Sequence, residues 1–240
     1  MRGAFVGLGG WQKNSFIDYP GTVSTVLFFS GCNLRCPYCH NGRLACGETV
    51  DIVDPPAVRA FLEKRRGQIE GVVLSGGEPT IHESAADTAA AARALGYRVK
   101  LDTNGLLPDA IERIAPDYLA LDLKTRPSFY RTLLRAPFDD VERRLTAALA
   151  QVRRMGERAE VRITAAPGLV DMAVVEELSE LLEGVSNVYL QPMQQRYPLL
   201  DSSFNVATNL SGDMLEAMRV RVASRVGECR MRSGDESKPA

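Results

Sequence analysis

The sequence predicts an α/β fold built on parallel strands. Short apolar, β-rich runs recur along the chain, segments with helical spacing lie between them, and several of those segments open with Pro or Asp and close near a Gly. In chain order the expected strands are Val23 to Phe29, Gly71 to Leu74, Arg98 to Asp102, Tyr118 to Leu123, Val161 to Thr164 and Val188 to Gln191. The expected helices are Pro55 to Arg66, Glu83 to Leu95, Pro108 to Ile114, Asp139 to Met155 and Asp171 to Leu182, with Gly67, Gly96, Gly156 and Gly184 as stops.

Strands alternating with helices call for right-handed crossovers, hence a doubly wound sheet or a complete or partial barrel. In either architecture ligands gather at the C-terminal ends of the strands. No repeat of fixed period and no long linker interrupts the pattern, so residues 1–230 read as one domain and 231–240 as a polar, disordered tail.

The chain has 240 residues, 45% of them hydrophobic and 25% charged, enough to bury roughly 70% of the surface of the unfolded chain. Its formal charge of −1 gives no long-range attraction to nucleic acid or to an acidic membrane, and neither is expected as a partner. No stretch approaches the roughly 20 apolar residues that cross a bilayer, and the first ten residues lack a continuous apolar core, so the protein is expected in the cytoplasm.

Four of the five cysteines fall between Cys32 and Cys46, with Cys229 far away. A local cluster points to metal or redox chemistry, not to a disulfide framework. Cys32, Cys36 and Cys39 stand at a C-x3-C-x2-C spacing directly after the first expected strand. Soft thiolates select iron–sulfur clusters, zinc or cuprous copper, and three of them can hold three irons of a cubane while the fourth stays open. A zinc site completed by Cys46 or His40 is the plainer alternative, and Cys46 as a fourth cluster ligand is another.

The spacing, with Tyr38 before the third cysteine, resembles the signature of the radical S-adenosylmethionine (SAM) enzymes. Within them, the stretches Ser15 to Gly21 and Cys36 to Asn41 are similar to those of the glycyl-radical-enzyme activases, those of anaerobic ribonucleotide reductase in particular. The resemblance runs from about Ser15 to Gln194 and implies a partial (β/α)6 TIM-like barrel. It also implies a 4Fe–4S cluster on Cys32, Cys36 and Cys39, with Cys46 a neighbouring thiol; His40 reads as a hydrogen-bonding or packing residue and Cys229 as a buried or incidental thiol.

At the strand ends, Gly76 and Gly77 would let the backbone approach a ligand, and Glu78 offers a carboxylate to an ammonium group; in the family this element binds the methionyl amine of SAM. Asp102, Thr103 and Asn104 can bond hydroxyls or a cation. By resemblance to the pyruvate formate-lyase activating enzyme, Asp102, Thr103, Asp122 and the carbonyl of Ala120 would hold a monovalent cation, with Lys124 reaching the cofactor. Arg162 and Ile163 would lie at the adenine, Tyr38 and Asn41 beside the cluster, and Gln194 at the ribose, where the activating enzyme has a histidine. His82 and the pairs Arg65-Arg66, Arg143-Arg144 and Arg153-Arg154 read as solvated helix faces.

The implied activity is reductive cleavage of SAM to a 5′-deoxyadenosyl radical that takes a hydrogen atom from a glycine of a partner glycyl radical enzyme. A flavodoxin- or ferredoxin-type protein would supply the electron. A radical SAM enzyme acting on a small molecule, such as a 7-carboxy-7-deazaguanine synthase, and a non-catalytic metal-binding module are the competing classes.

Overall fold

The computed structural model describes residues 3–49, 51–193, 199–204 and 210–232. The chain forms two compact units, the first made of Met1–Asn33, Asn41–Thr103 and Leu107–Leu119, the second of Leu34–His40, Asn104–Leu106 and Ala120–Ala240.

In the first unit, β1 (Leu8–Ser15) runs antiparallel to β2 (Ser24–Phe29), and β2, β3 (Gly71–Gly76) and β4 (Arg98–Thr103) are parallel neighbours. Ser24 pairs with Gly71 and Gly71 with Arg98, so the parallel strands start in register and end together. Four helices accompany them: α1 (Gly42–Ala45), α2 (Pro55–Lys64), α3 (Ser84–Ala94) and α4 (Pro108–Ile114). Asp54 accepts from the amide of Ala57 at the head of α2, where the prolines cost no hydrogen bond. Val72, Leu74, Val99 and Leu101 are fully buried, as strands covered by helices require.

β5 (Tyr118–Leu123) carries the chain into the second unit. There α5 (Val141–Met155), β6 (Ala159–Ala165), α6 (Met172–Leu181), β7 (Asn187–Pro192), α7 (Gly212–Ala223) and β8 (Glu228–Met231) follow, with β6, β7 and β8 parallel. Asp171 and Ser211 cap α6 and α7 by accepting from the amides of Val174 and Met214.

All six expected strands are present as β2 to β7, and the five expected helices as α2 to α6. Two strands, β1 and β8, and two helices, α1 and α7, were not expected. Of the tail expected from residue 231, Met231 closes β8 and the Arg232 amide bonds the Leu190 carbonyl at 2.9 Å. Residues 233–240 lie outside the described residues. Several charges read as solvated are tied down instead. Arg153 donates to the carbonyls of Leu181, the last residue of α6, and Glu183 just past it, and Arg66 to that of Leu95. His82 Nε2 lies 2.7 Å from the Ser30 carbonyl oxygen.

Candidate active site

The end of β3 is joined to the end of β2 through backbone. Gly77 N–H donates to the Phe29 carbonyl at 2.8 Å and Glu78 N–H to that of Gly31 at 2.9 Å, while Gly31 N–H bonds Leu44 O at 2.6 Å. Gly76 sits at φ +113°, and a methyl there would stand 2.5 Å from the Phe29 backbone; at Gly77 it would collide with the Gly31 carbonyl. The glycines are therefore required by close packing of two strand exits. That seam presents Glu78 next to Gly31 and Cys32, where the cysteine loop begins.

Glu78 is 1% exposed. Its Oε1 accepts from the Thr80 amide at 3.0 Å, the Thr80 hydroxyl at 2.6 Å and the Thr103 hydroxyl at 2.7 Å. Three donors on one oxygen hold the carboxylate in one orientation. Beside it on β4, Asp102 bonds the Ser75 hydroxyl at 3.1 Å and the ammonium of Lys100. Lys100 and Asp102 are two residues apart and so share one face of the strand.

In the second unit, two segments back the loop of Cys36 and Cys39. Arg35 N–H bonds Leu133 O at 2.6 Å; Leu200 and Asp201 N–H bond the carbonyls of Cys39 and Pro37 at 3.1 and 3.0 Å. The ring of Tyr38 packs near Phe204, and its buried hydroxyl has no hydrogen-bond partner among the described residues. Lys124 bears on this loop electrostatically. Its backbone N–H is fixed by the Tyr130 hydroxyl at 3.0 Å, and its ammonium by Asp122 at 3.1 Å. Burial pushes the Cys36 thiol up to about 11, against the opposing pull of Lys124.

Asp122 also accepts from Arg162 Nε at 2.6 Å. Burial alone would raise its carboxyl, but the charges of Arg162 and Lys124 outweigh that and hold it well below the usual range. The ladder continues: Glu160, 1% exposed, lies 4.0 Å from Arg162 Nη1 and takes both terminal nitrogens of Arg232 at 3.4 Å. Arg232 in turn covers the Tyr189 ring. Farther along, Gln191 Nε2 bonds the Thr164 hydroxyl at 2.9 Å.

Among the described residues no three His, Cys, Asp or Glu side chains gather as a single metal ion needs. No disulfide joins the cysteines; Cys32 and Cys36 are buried and Cys39 half-buried. Three thiols close together in the sequence, a buried tyrosine hydroxyl without a partner among the described residues and an ammonium that acts electrostatically on Cys36 fit a polynuclear, polar cofactor.

The sequence matches the radical SAM superfamily over residues 26–182. The chain belongs to that superfamily.

As a radical SAM protein it uses a 4Fe–4S cluster and SAM. Its fold class, the α/β partial barrel with parallel-dominated strands, is that of its superfamily. It is 29% identical over 204 residues, 77% of each chain, to a Methanocaldococcus jannaschii protein named provisionally as a glycyl-radical enzyme activating enzyme. It is 28% identical over 192 residues to the pyruvate formate-lyase-activating enzyme of Clostridium pasteurianum, covering 74% of this chain and 76% of that one. The 7-carboxy-7-deazaguanine synthase of Methanopyrus kandleri is also 28% identical, over 227 residues, with 82% and 83% covered. Among solved structures, Streptococcus suis SuiB bound to S-adenosylmethionine superposes with a TM-score of 0.59 at 14% identity, covering 90% of this chain and 55% of that one.

Within the radical SAM chain, several residues expected at the cofactor make contacts of the chain's own. Gly76 and Gly77 face the chain's own backbone. Ile163 is fully buried, because neighbours in a strand point to opposite faces and Arg162 takes the polar one. Asn104 is buried, with Oδ1 accepting from the Leu106 amide at 3.1 Å, as a turn residue would. Asn41 is exposed at the head of α1, and Gln194 lies outside the described residues. Thr80 lies in a single 3-10 turn, Pro79–Ile81, headed by Glu78, and α3 begins at Ser84. Sequence reasoning missed Ser75, Lys100, Glu160 and Tyr130; for Lys100 the signal was present, as a charge two residues from Asp102 in an otherwise apolar strand.

Proposed function

We propose that this radical SAM protein is a glycyl-radical-enzyme activase. The extended similarity to two activating enzymes supports that reading, and the orientation of Glu78 carries the chemistry. Cys32, Cys36 and Cys39 would hold the cluster. When bound, the cluster would supply one-electron reduction of SAM, the chemistry that makes hydrogen-atom abstraction possible.

The protein's own part is to bind, orient and exclude water. Glu78 receives the methionyl ammonium, with Thr80 and Thr103 fixing its direction. Lys124, steadied by Asp122 and by Tyr130, offers its charge to the carboxylate of SAM, and Arg162 keeps Asp122 in place. Tyr38 closes the loop side. The substrate is a glycine of a partner glycyl radical enzyme, with anaerobic ribonucleotide reductase favoured by the Ser15–Gly21 and Cys36–Asn41 stretches, and a flavodoxin or ferredoxin donates the electron. A reducing cytoplasm suits the absence of disulfides among the five cysteines.

The synthase of M. kandleri, matched over most of both chains, supports a second reading in which a deazapurine precursor is the substrate. Anaerobic reconstitution followed by incubation with SAM, a reductant and a glycyl radical reductase decides between them. A glycyl radical signal in electron paramagnetic resonance is expected; formation of 7-carboxy-7-deazaguanine with no glycyl signal would favour the synthase. Cys32→Ala, Cys36→Ala and Cys39→Ala should each abolish cluster loading, and Cys46→Ala should retain it. Loss of loading in Cys46→Ala alone would overturn the ligand set.

A further inference from the structure

The monovalent cation that the resemblance places on Asp102, Thr103, Asp122 and the Ala120 carbonyl does not fit the side chains. In the first unit, one oxygen of Asp102 takes the ammonium of Lys100 and the other the Ser75 hydroxyl at 3.1 Å, while Thr103 gives its hydroxyl proton to Glu78. In the second, Asp122 takes Arg162 on one oxygen at 2.6 Å and Lys124 on the other at 3.1 Å. Each carboxylate already faces a positive charge supplied by the chain.

The decisive residue is Lys100. At 2% exposure its ammonium is out of reach of bulk water, and such a charge persists only when paired and hydrogen-bonded. Strand geometry supplies the pairing, since Lys100 and Asp102 share a face of β4. A carboxylate neutralised in this way has no net charge left to draw a singly charged metal ion from its hydration shell.

We propose that Lys100 is the built-in counter-ion of Asp102. It is a positioning residue that does the electrostatic work of a bound sodium or potassium ion, so this chain binds SAM without either. The inference rests on the strand ends being the SAM site, as proposed above.

The test measures the melting temperature and equilibrium SAM binding of the reconstituted protein in potassium, sodium or tetramethylammonium chloride at equal ionic strength. The native protein is expected to vary by less than about twofold in SAM affinity across the three salts. A loss of about tenfold in tetramethylammonium would overturn the proposal. Lys100→Met strips the ammonium and takes from the half-buried Asp102 its paired charge; it should melt lower and bind SAM more weakly, and potassium or sodium should partly restore both. A Lys100→Met protein that matches the native one in all three salts would also overturn it. Should that variant fail to fold, the double variant Lys100→Met, Asp102→Asn decides the matter. Recovery of a folded, salt-indifferent protein supports the counter-ion role, and failure to recover opposes it. SAM cleavage is followed separately: a protein that loads iron but cleaves no SAM contradicts the proposed function and leaves the melting comparison intact.

Discussion

Replacing Glu78 by Gln keeps the side-chain shape and deletes its charge, while the donors from Thr80 and Thr103 still find a carbonyl oxygen. The fold should survive, and SAM affinity should fall by about 10- to 100-fold, the worth of one charge-assisted hydrogen bond. Isothermal titration of the reconstituted variant checks this. Gly77→Ala is expected to act on the fold itself, because the new methyl collides with a backbone carbonyl that cannot swing aside. Overpacking of this kind costs about 1–3 kcal/mol, and in a chain of this size each kcal/mol lowers the melting temperature by about 2–4 °C. Glu78 and the cysteines were legible in the sequence because residue type and spacing state their chemistry. The orientation of Ile163 and the partner of Lys100 were not, since a motif names neighbours in the chain and says nothing of which strand face each one occupies.

The elements divide in the same way. β2 to β7 announce themselves as dense apolar runs bounded by helix signals. β1 hides because it begins with Leu-Gly-Gly and alternates poorly, and β8 because two of its four residues are charged. The segments 127–134 and 199–204, which back the cysteine loop through amide-to-carbonyl bonds, carry no periodic signal at all. Tyr130→Phe probes the first of them. Losing the hydroxyl that accepts the Lys124 amide should cost about 1 kcal/mol in stability, read as an earlier urea midpoint. Glu160→Ala should cost more, since it removes a buried carboxylate that meets both terminal nitrogens of Arg232. By contrast Glu228→Ala, which removes an exposed partner of Arg230, should leave the midpoint almost unchanged.

At the level of the whole molecule, alkaline pH is the informative variable. Burial raises the Cys229 thiol from 9.0 to about 11, against the pull of Arg219. Below pH 9 the thiol is protonated in both folded and unfolded chains and its contribution is fully present. Above that the unfolded chain ionises first, so stability falls until pH passes about 11. Denaturant melts between pH 8 and 11 should show the decline, and Cys229→Ala should flatten it. The seam between the exits of β2 and β3 has a different consequence. It is sewn by amides and carbonyls, with no iron among its stitches. Air that corrodes the inorganic core should therefore leave an emptied vessel whose circular dichroism is unchanged, ready to be recharged by repair machinery instead of being discarded and made anew.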